Sequence, residues 1–405
     1  MRVLVLSQYF APEAGATQNR MSAFVDGLID RGHQVTVVCE QPCHPAGVFL
    51  PGYGRRPLMT ERAPNRTVHR LWVATSPRKT TARRLAFYAT FAAGAGAAVL
   101  LGPRHDVMLA TSPPLPGVLA ATAAAGARRM PVVVDVRDIW PAAAGALGEL
   151  SNPHLLSLFE RAERRLYRAA RRVTVTTRPF SRHVDAVAGS PVSVHVPNGA
   201  LDELVELPDT DPPAGAPFTV GYAGNMGIAQ GLGIVLDAAD RLREEPVRFV
   251  LLGDGPLASE LREEAARRGL ANVEFRPAVP VADVAEFLQS CHALLVPLRE
   301  HPLFDDFIPS KLYDAMAVGR PAVVAARGEA PGLVEETGAG VVVAPEDGDA
   351  LAAAVRGLAA EPERARELGR AGRTAAPGLA RSRQVGKLED VLRAAGASGP
   401  GGQSA

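Results

Sequence analysis

At 405 residues the chain is long for one domain and sufficient for two, and its 47% hydrophobic content with a mean hydropathy of +0.04 lets each half bury its own core. Forty-four Lys and Arg against 43 Asp and Glu leave a net charge of +1, which excludes the strongly basic footprint of a nucleic-acid binder. Three cysteines, Cys39, Cys43 and Cys291, form neither a disulfide framework nor a paired metal motif, and they fit a reducing, cytoplasmic location.

The first residues, Met-Arg-Val-Leu-Val-Leu-Ser, lack the long apolar run and small-residue cleavage site of a signal peptide and read as a buried strand. Strands are expected at 3–6, 34–38, 107–110, 132–136, 173–176 and 192–196, with a helix at 22–30. The segment 85–101 is rich in Ala and Gly and is preceded by Arg78, Lys79, Arg83 and Arg84. It is shorter than the roughly 20 strongly apolar residues a bilayer span needs. It reads either as a packed helix or as a peripheral membrane contact through 78–101, since clustered cations beside an apolar face attract anionic lipid. After Pro-Asn-Gly199 an acidic, proline-rich stretch at 207–217 marks a boundary, and the strand pattern restarts at 219–222, 248–252, 273–275, 293–296, 322–324 and 340–343. Short apolar strands alternating with helices mean α/β, with two doubly wound domains and a cleft between them. The expected division is a domain at 1–205, a linker at 206–217, a domain at 218–379, a helix at 380–395 and a disordered tail at 396–405.

Each half opens with a strand, a glycine-bearing loop and a helix, the arrangement in which backbone amides and the helix dipole meet an anion. The first loop is Pro12-Glu-Ala-Gly15-Ala16-Thr17-Gln18, with Arg20 behind it; the second is Gly221-Tyr-Ala-Gly224-Asn225-Met226-Gly227, continuing to Gln230. Gly253-Asp254-Gly255 follows another strand. Asp135-Val-Arg137-Asp138-Ile-Trp140 ends a buried strand with acids, an arginine and an aromatic ring, at the end of a parallel strand where ligands bind. Asp135 and Arg137 could equally form an ion pair. Further on, Asp306-Phe-Ile-Pro-Ser-Lys311-Leu-Tyr-Asp314 precedes Gly319-Arg-Pro321. Pro309 suits the first turn of a helix over 310–318, which sets Asp314 about one turn past Lys311 and leaves Asp306 in the loop before it. Lysine at a helix start suits phosphate, one carboxylate suits the two hydroxyls of a ribose, and the other suits a sugar. Asp209-Thr-Asp211 looks like a metal-binding Asp-x-Asp but lies in the proline-flanked linker. With no other acids or histidines at ligand spacing, no metal is expected.

The Asp306-to-Asp314 segment resembles the acid-x7-acid signature of the retaining GT-B glycosyltransferases of the family 4 class, and its Ile-Pro-Ser-Lys-Leu-Tyr-Asp form resembles the branch that builds bacterial surface polysaccharides, including fucosaminyltransferase-like enzymes. Both acids are aspartates where the family usually has glutamates. The resemblance implies the GT-B fold, two Rossmann-like domains facing a central cleft, and a 380–395 helix that crosses back to the first domain. It implies a nucleotide-sugar donor held mainly by the second domain, a sugar-containing acceptor, lipid-linked or soluble, held by the first, and no cofactor beyond the donor itself. The implied catalytic residues are Asp306, Lys311 and Asp138. Donor contacts would come from Gly15, Gly224, Asn225, Gln230, Gly253, Val279, Arg299, Ser310 and Asp314, and acceptor contacts from Arg20, Arg137 and Trp140. Asn225 and Gln230 stand where the family has an arginine and a lysine, so Lys311, backed by Arg299 and Arg20, is left to neutralise the diphosphate. Two rival readings are a nucleotide-sugar 2-epimerase on the same fold and a non-catalytic nucleotide- or sugar-binding protein.

Overall fold

The computed structural model describes every residue except 14, 45, 79, 142–151, 213–216 and 398–405, so Lys79, part of the expected linker and most of the expected tail lie outside it. The chain divides into two units, Met1–Asn198 with Gln384–Ala405 and Gly199–Arg383. The expected boundary at the proline-rich stretch is therefore too late. Ala200 and Leu204 are buried in the core of the second unit, and Ala200 pairs with Ala380 there.

In the first unit β1 (Arg2–Leu6), β2 (Gln34–Glu40), β3 (Leu58–Ala63), β4 (Arg66–Leu71), β5 (Val107–Ser112), β6 (Val132–Val136), β7 (Arg172–Val175) and β8 (Ser193–His195) form one sheet in the order β3-β4-β2-β1-β5-β6-β7-β8. Every pairing is parallel except the β3–β4 hairpin. Val3, Leu4, Val5 and Leu6 are all buried, as a strand covered on both faces requires. The hairpin, turned at Asn65 with φ 55°, was not expected from the sequence. Its outer strand, Leu-Met-Thr-Glu-Arg-Ala, is an edge strand with no residue fully buried, so it lacks the apolar run that marks the central strands.

The helix Ala16–Asp30 begins well before the expected 22. Its Phe24 and Leu28 pack with Val3 and Val5 and with Val385, Leu388 and Leu392 from the helix Arg381–Ala397. Gly27 lets that helix approach, because a Cβ there would lie 2.9 Å from the Val385 methyls. His33 joins Glu389 at 2.9 Å and the Met1 amino group at 3.0 Å, tying the start of the chain to the helix Arg381–Ala397.

The second unit holds β9 (Phe218–Ala223), β10 (Val247–Leu252), β11 (Val273–Arg276), β12 (Ala293–Pro297), β13 (Ala322–Ala325) and β14 (Gly340–Val343), all parallel, in the order β11-β10-β9-β12-β13-β14. Alternate residues of β10 face opposite cores: Phe249 and Leu251 on one side, Val250 and Leu252 on the other. The strand order reverses between β9 and β12. That switch point leaves a crevice at the carboxyl ends of the strands, where open α/β sheets bind ligands.

Candidate functional site

A cavity of about 330 Å³ occupies this switch point. Gly224 and Asn225 after β9, Gly253 and Asp254 after β10, Val279 after β11, and Lys311 and Asp314 from the helix Ser310–Ala317 all line it. The two glycine loops are knitted by backbone bonds, Gly224 N to Leu252 O at 2.9 Å and Met226 N to Asp254 O at 2.8 Å. They touch so closely that side chains are excluded. A Cβ on Gly253, where φ is 139°, would sit 2.1 Å from the Gly224 carbonyl oxygen, and one on Gly224, φ 136°, would sit 2.8 Å from Lys311 Nζ.

Lys311 and Asp314 lie about one helical turn apart on one face. The Lys311 ammonium stands 5.1 Å from the centre of the Tyr222 ring, whose hydroxyl donates to the Asn225 carbonyl at 2.5 Å and fixes the loop. Burial lowers the Lys311 pKa, with Asp314 opposing the shift. Burial likewise pushes the Asp314 carboxyl up to about 6, against the pull of Arg381 and Lys311. Asp314 Oδ1 is shielded from solvent and has no hydrogen-bond partner among the described residues. A cation and an unsatisfied acceptor sharing one cavity suit a ligand that carries both phosphate and hydroxyl groups.

The remaining residues expected at the donor lie off this cavity. Pro309 is the N-cap rather than the first helical residue, and Ser310 is exposed. Asp306 follows the short helix Pro302–Asp305 as its C-cap, and Gly328 leaves room for that helix, since a Cβ there would lie 1.9 Å from the Asp305 carbonyl oxygen. Gln230 turns inward on its own loop, its Oε1 accepting from Gly227 N at 3.0 Å. Arg299 faces Glu346 at 3.6 Å with its side chain half exposed, so part of its charge is already met.

In the first unit Gly15 is the N-cap of Ala16–Asp30. Arg20 cannot serve an acceptor or a diphosphate as expected. It is buried, paired with Asp135 at 2.8 Å, and donates to the carbonyls of Val196 and Pro197 at 2.8 and 2.9 Å and to Asn198 Oδ1 at 3.3 Å. Thr174 completes Asp135 at 2.7 Å. The alternative Asp135–Arg137 pair is accordingly not what forms. Arg137 instead ties the start of the helix Ala16–Asp30 to the end of β5 through Thr17, Thr111 at 2.8 Å and the Pro113 carbonyl at 2.9 Å, and burial lowers its pKa to about 10. Asp138 beside it has a raised pKa from burial, opposed by Arg137, and a shielded Oδ1 with no partner among the described residues. Trp140 packs edge-on against Phe159 at 4.7 Å; residues 142–151 that follow lie outside the described set.

The expectation of no clustered ligand groups also needs correction, because the fold brings Glu13, Glu40 and Cys43 within 4.8 Å of one another. These atoms already have donors. Glu13 Oε1 accepts from Cys43 N and His44 N at 2.6 and 2.7 Å, and Glu40 accepts from Gln8 at 2.8 Å and the Cys43 thiol at 3.3 Å. The cluster anchors a loop. Nothing in the spacing reveals it, since Glu13 and Glu40 come from different strand ends.

Two family models match the chain: "Glycosyl transferase 4-like domain" over 15–199 and "Glycosyl transferases group 1" over 217–361. WcaI of Escherichia coli (strain K12), named for colanic acid biosynthesis glycosyl transfer, is 26% identical over 386 residues, covering 88% of this chain and 91% of that protein. D-rhamnosyltransferase WbpZ of Pseudomonas aeruginosa is 35% identical, over 37% and 38% of the two chains. The GDP-mannose-dependent alpha-(1-6)-phosphatidylinositol monomannoside mannosyltransferase of Mycolicibacterium smegmatis is 26% identical over 92% of each. Among solved structures, Anabaena HepE in complex with UDP superposes with a TM-score of 0.69 at 17% identity, over 97% and 100% of the chains, and the lipopolysaccharide glycosyltransferase WaaG with 0.67 at 15%, over 96% and 99%.

Proposed function

Because the chain belongs to the group 1 glycosyltransferases of GT-B fold and has surface-polysaccharide enzymes among its relatives, we propose that it is a retaining, metal-independent transferase using a nucleoside-diphosphate sugar. The observation that carries this is the convergence of the two glycine loops, Lys311 and Asp314 on one cavity. Lys311 and the loop amides meet the diphosphate, Asp314 accepts from the ribose hydroxyls, and the backbone near Val279 holds the base. Asp306 holds sugar hydroxyls. The names of relatives supply both a UDP and a GDP precedent: HepE is also described with UDP-glucose, and the mycobacterial relative is GDP-mannose-dependent.

In the reaction the bond from the anomeric carbon to the diphosphate oxygen breaks while the acceptor oxygen bonds to the same face. The acceptor proton passes to the leaving diphosphate. Negative charge grows on that leaving group, and Lys311 stabilises it there more than in the ground state. Asp138, with its unsatisfied oxygen, orients the acceptor hydroxyl, and Trp140 offers a face to a sugar. Asn225 and Gln230, neutral where charge is expected, favour the second reading, a protein that binds the nucleotide without turnover.

The test is transfer with matched donor and acceptor, followed by the anomeric coupling of the product. We expect the donor's configuration to be kept, and Asp306→Ala to abolish transfer while nucleoside-diphosphate affinity stays within about twofold. An inverted product, or wild-type turnover by Asp306→Ala, would overturn the assignment.

A further inference from the structure

The cavity at the switch point of the second unit is short of positive charge. Among its described lining residues Lys311 is the one lysine or arginine, and the loop after β9 supplies the neutral Asn225 there. Gln230, farther along that loop, is spent on Gly227 N. Arg299, two residues past the end of β12, lies against the same loop. Its amide donates to the Ala229 carbonyl at 2.9 Å, and a Cβ on Gly231, φ 57°, would lie 3.3 Å from the Arg299 Cα. The Arg299 backbone therefore meets the residues on both sides of Gln230, so its long side chain springs from the place where the loop lacks a cation of its own.

That side chain faces Glu346. Arg299 Nε stands 3.6 Å from Glu346 Oε1 with both side chains about half exposed, which makes a loose pair screened by solvent. Glu346 Oε2 also accepts from the Glu300 amide at 3.2 Å, so two contacts aim the carboxylate at the residues after β12. The Glu300 side chain turns away to Arg327, at 2.8 Å, and leaves Arg299 to Glu346. The Glu346 backbone is the unusual part. It sits at φ 58° in the turn between β14 and the helix Gly348–Ala360, whose N-cap Asp347 accepts from Ala350 N at 2.9 Å. Two other described non-glycine residues have positive φ, Asn65 in the β3–β4 turn and Arg129 just past the helix Leu115–Ala127. Glycine takes this φ without cost whereas glutamate is strained there, so the turn alone does not call for a glutamate. The residues after β12 are what its carboxylate serves.

Resting on the nucleotide-sugar reading, we propose that Glu346 is a positioning residue for Arg299, holding its guanidinium beside the glycine loop and yielding it to the diphosphate of the bound nucleotide. A diphosphate offers several charged oxygens to the planar guanidinium fork, whereas the Glu346 contact is single and long, so the exchange favours the phosphate while the nucleotide is bound. When the nucleoside diphosphate departs, Glu346 takes the guanidinium back. The carboxylate thus competes with the diphosphate and lowers nucleotide affinity, and it does so through Arg299.

The test is a double-mutant cycle read by calorimetric titration of the full chain with UDP and with GDP. Glu346→Gln keeps the side-chain length and removes the charge, and it should bind the nucleotide about threefold more tightly than the wild type. Glu346→Gly removes the charge and the strained φ together and should tighten binding equally, while Glu346→Asp should restore wild-type affinity. Arg299→Ala should weaken binding at least about fivefold, and in that background Glu346→Gln should change affinity by less than about 1.5-fold. Tightening in Glu346→Gly alone would mean that the backbone, not the charge, is responsible; unchanged or weaker binding in Glu346→Gln, or a gain that persists without Arg299, would mean that Glu346 does not act through that residue. Each of these overturns the proposal. Titration of Lys311→Ala separates the two readings: wild-type binding that depends on Lys311 leaves the donor assignment standing when the Glu346 variants fail, whereas no wild-type binding at all overturns both.

Discussion

Asp314 is the residue whose environment says most about its work. Its carboxyl is held near pKa 6 by burial, and one oxygen lacks a partner among the described residues. The carboxylate, the stronger acceptor for ribose hydroxyls, predominates above that value and is lost below it. Nucleoside-diphosphate affinity of the wild type should therefore fall as the pH drops from about 7.5 to about 5, and Asp314→Asn should bind more weakly and without that slope. A wild-type profile flat across this range would remove Asp314 from the ribose. Reading the sequence placed Lys311 and Asp314 on one helical face, and they are there, because two residues one turn apart need only a helix to meet. Arg20 shows where such reading ends. A basic residue behind a glycine loop looks like a phosphate ligand until the fold sets Asp135, distant in sequence, against it.

At the scale of elements, the loops after β9 and β10 work as one piece, since Gly253 and Gly255 of the second permit the approach of Gly224 and Met226 of the first. Gly253→Ala forces a side chain onto the Gly224 carbonyl at a φ that L residues rarely adopt. It should cost about 1–3 kcal/mol in urea unfolding and weaken nucleotide binding by at least about tenfold. Unchanged affinity in a folded variant would separate these loops from the ligand. The central strands were legible because a strand buried on both faces is a short run of Val, Ile and Leu between turn signals. The β3–β4 hairpin was not, because an edge strand needs no such run, and its Asn65 turn gives a weak signal alone. A cavity of the first unit, walled by Tyr9, His44 and the Arg78–Arg84 segment, was half legible: the arginines stand together in sequence, but the rings come from two other loops that only the sheet brings beside them.

For the whole molecule, alternation of strand and helix was enough to show two doubly wound units, and the restart of the pattern gave their approximate border. Its exact place depended on which core Ala200 and Leu204 enter, a long-range choice that proline content does not encode. The helix Arg381–Ala397 is the last element among the described residues, yet Leu388 sits fully buried in the core built from β1 and β2. Leu388→Ala should destabilise the first unit by about 2–5 kcal/mol, read as an earlier denaturant transition, whereas a surface helix would show almost no change. A net charge of +1 likewise concealed how unevenly the charge is spread, with three arginines around one cavity of the first unit.

The central claim is that the second unit binds a nucleotide-sugar donor at its switch point through Lys311, and calorimetric titration with a panel of nucleoside diphosphates and nucleotide sugars tests it most directly. The account predicts saturable binding of at least one member, weakened by at least about tenfold in Lys311→Ala, as removal of a buried charged hydrogen-bond donor requires. Binding of none, or equal affinity in the variant, would contradict it.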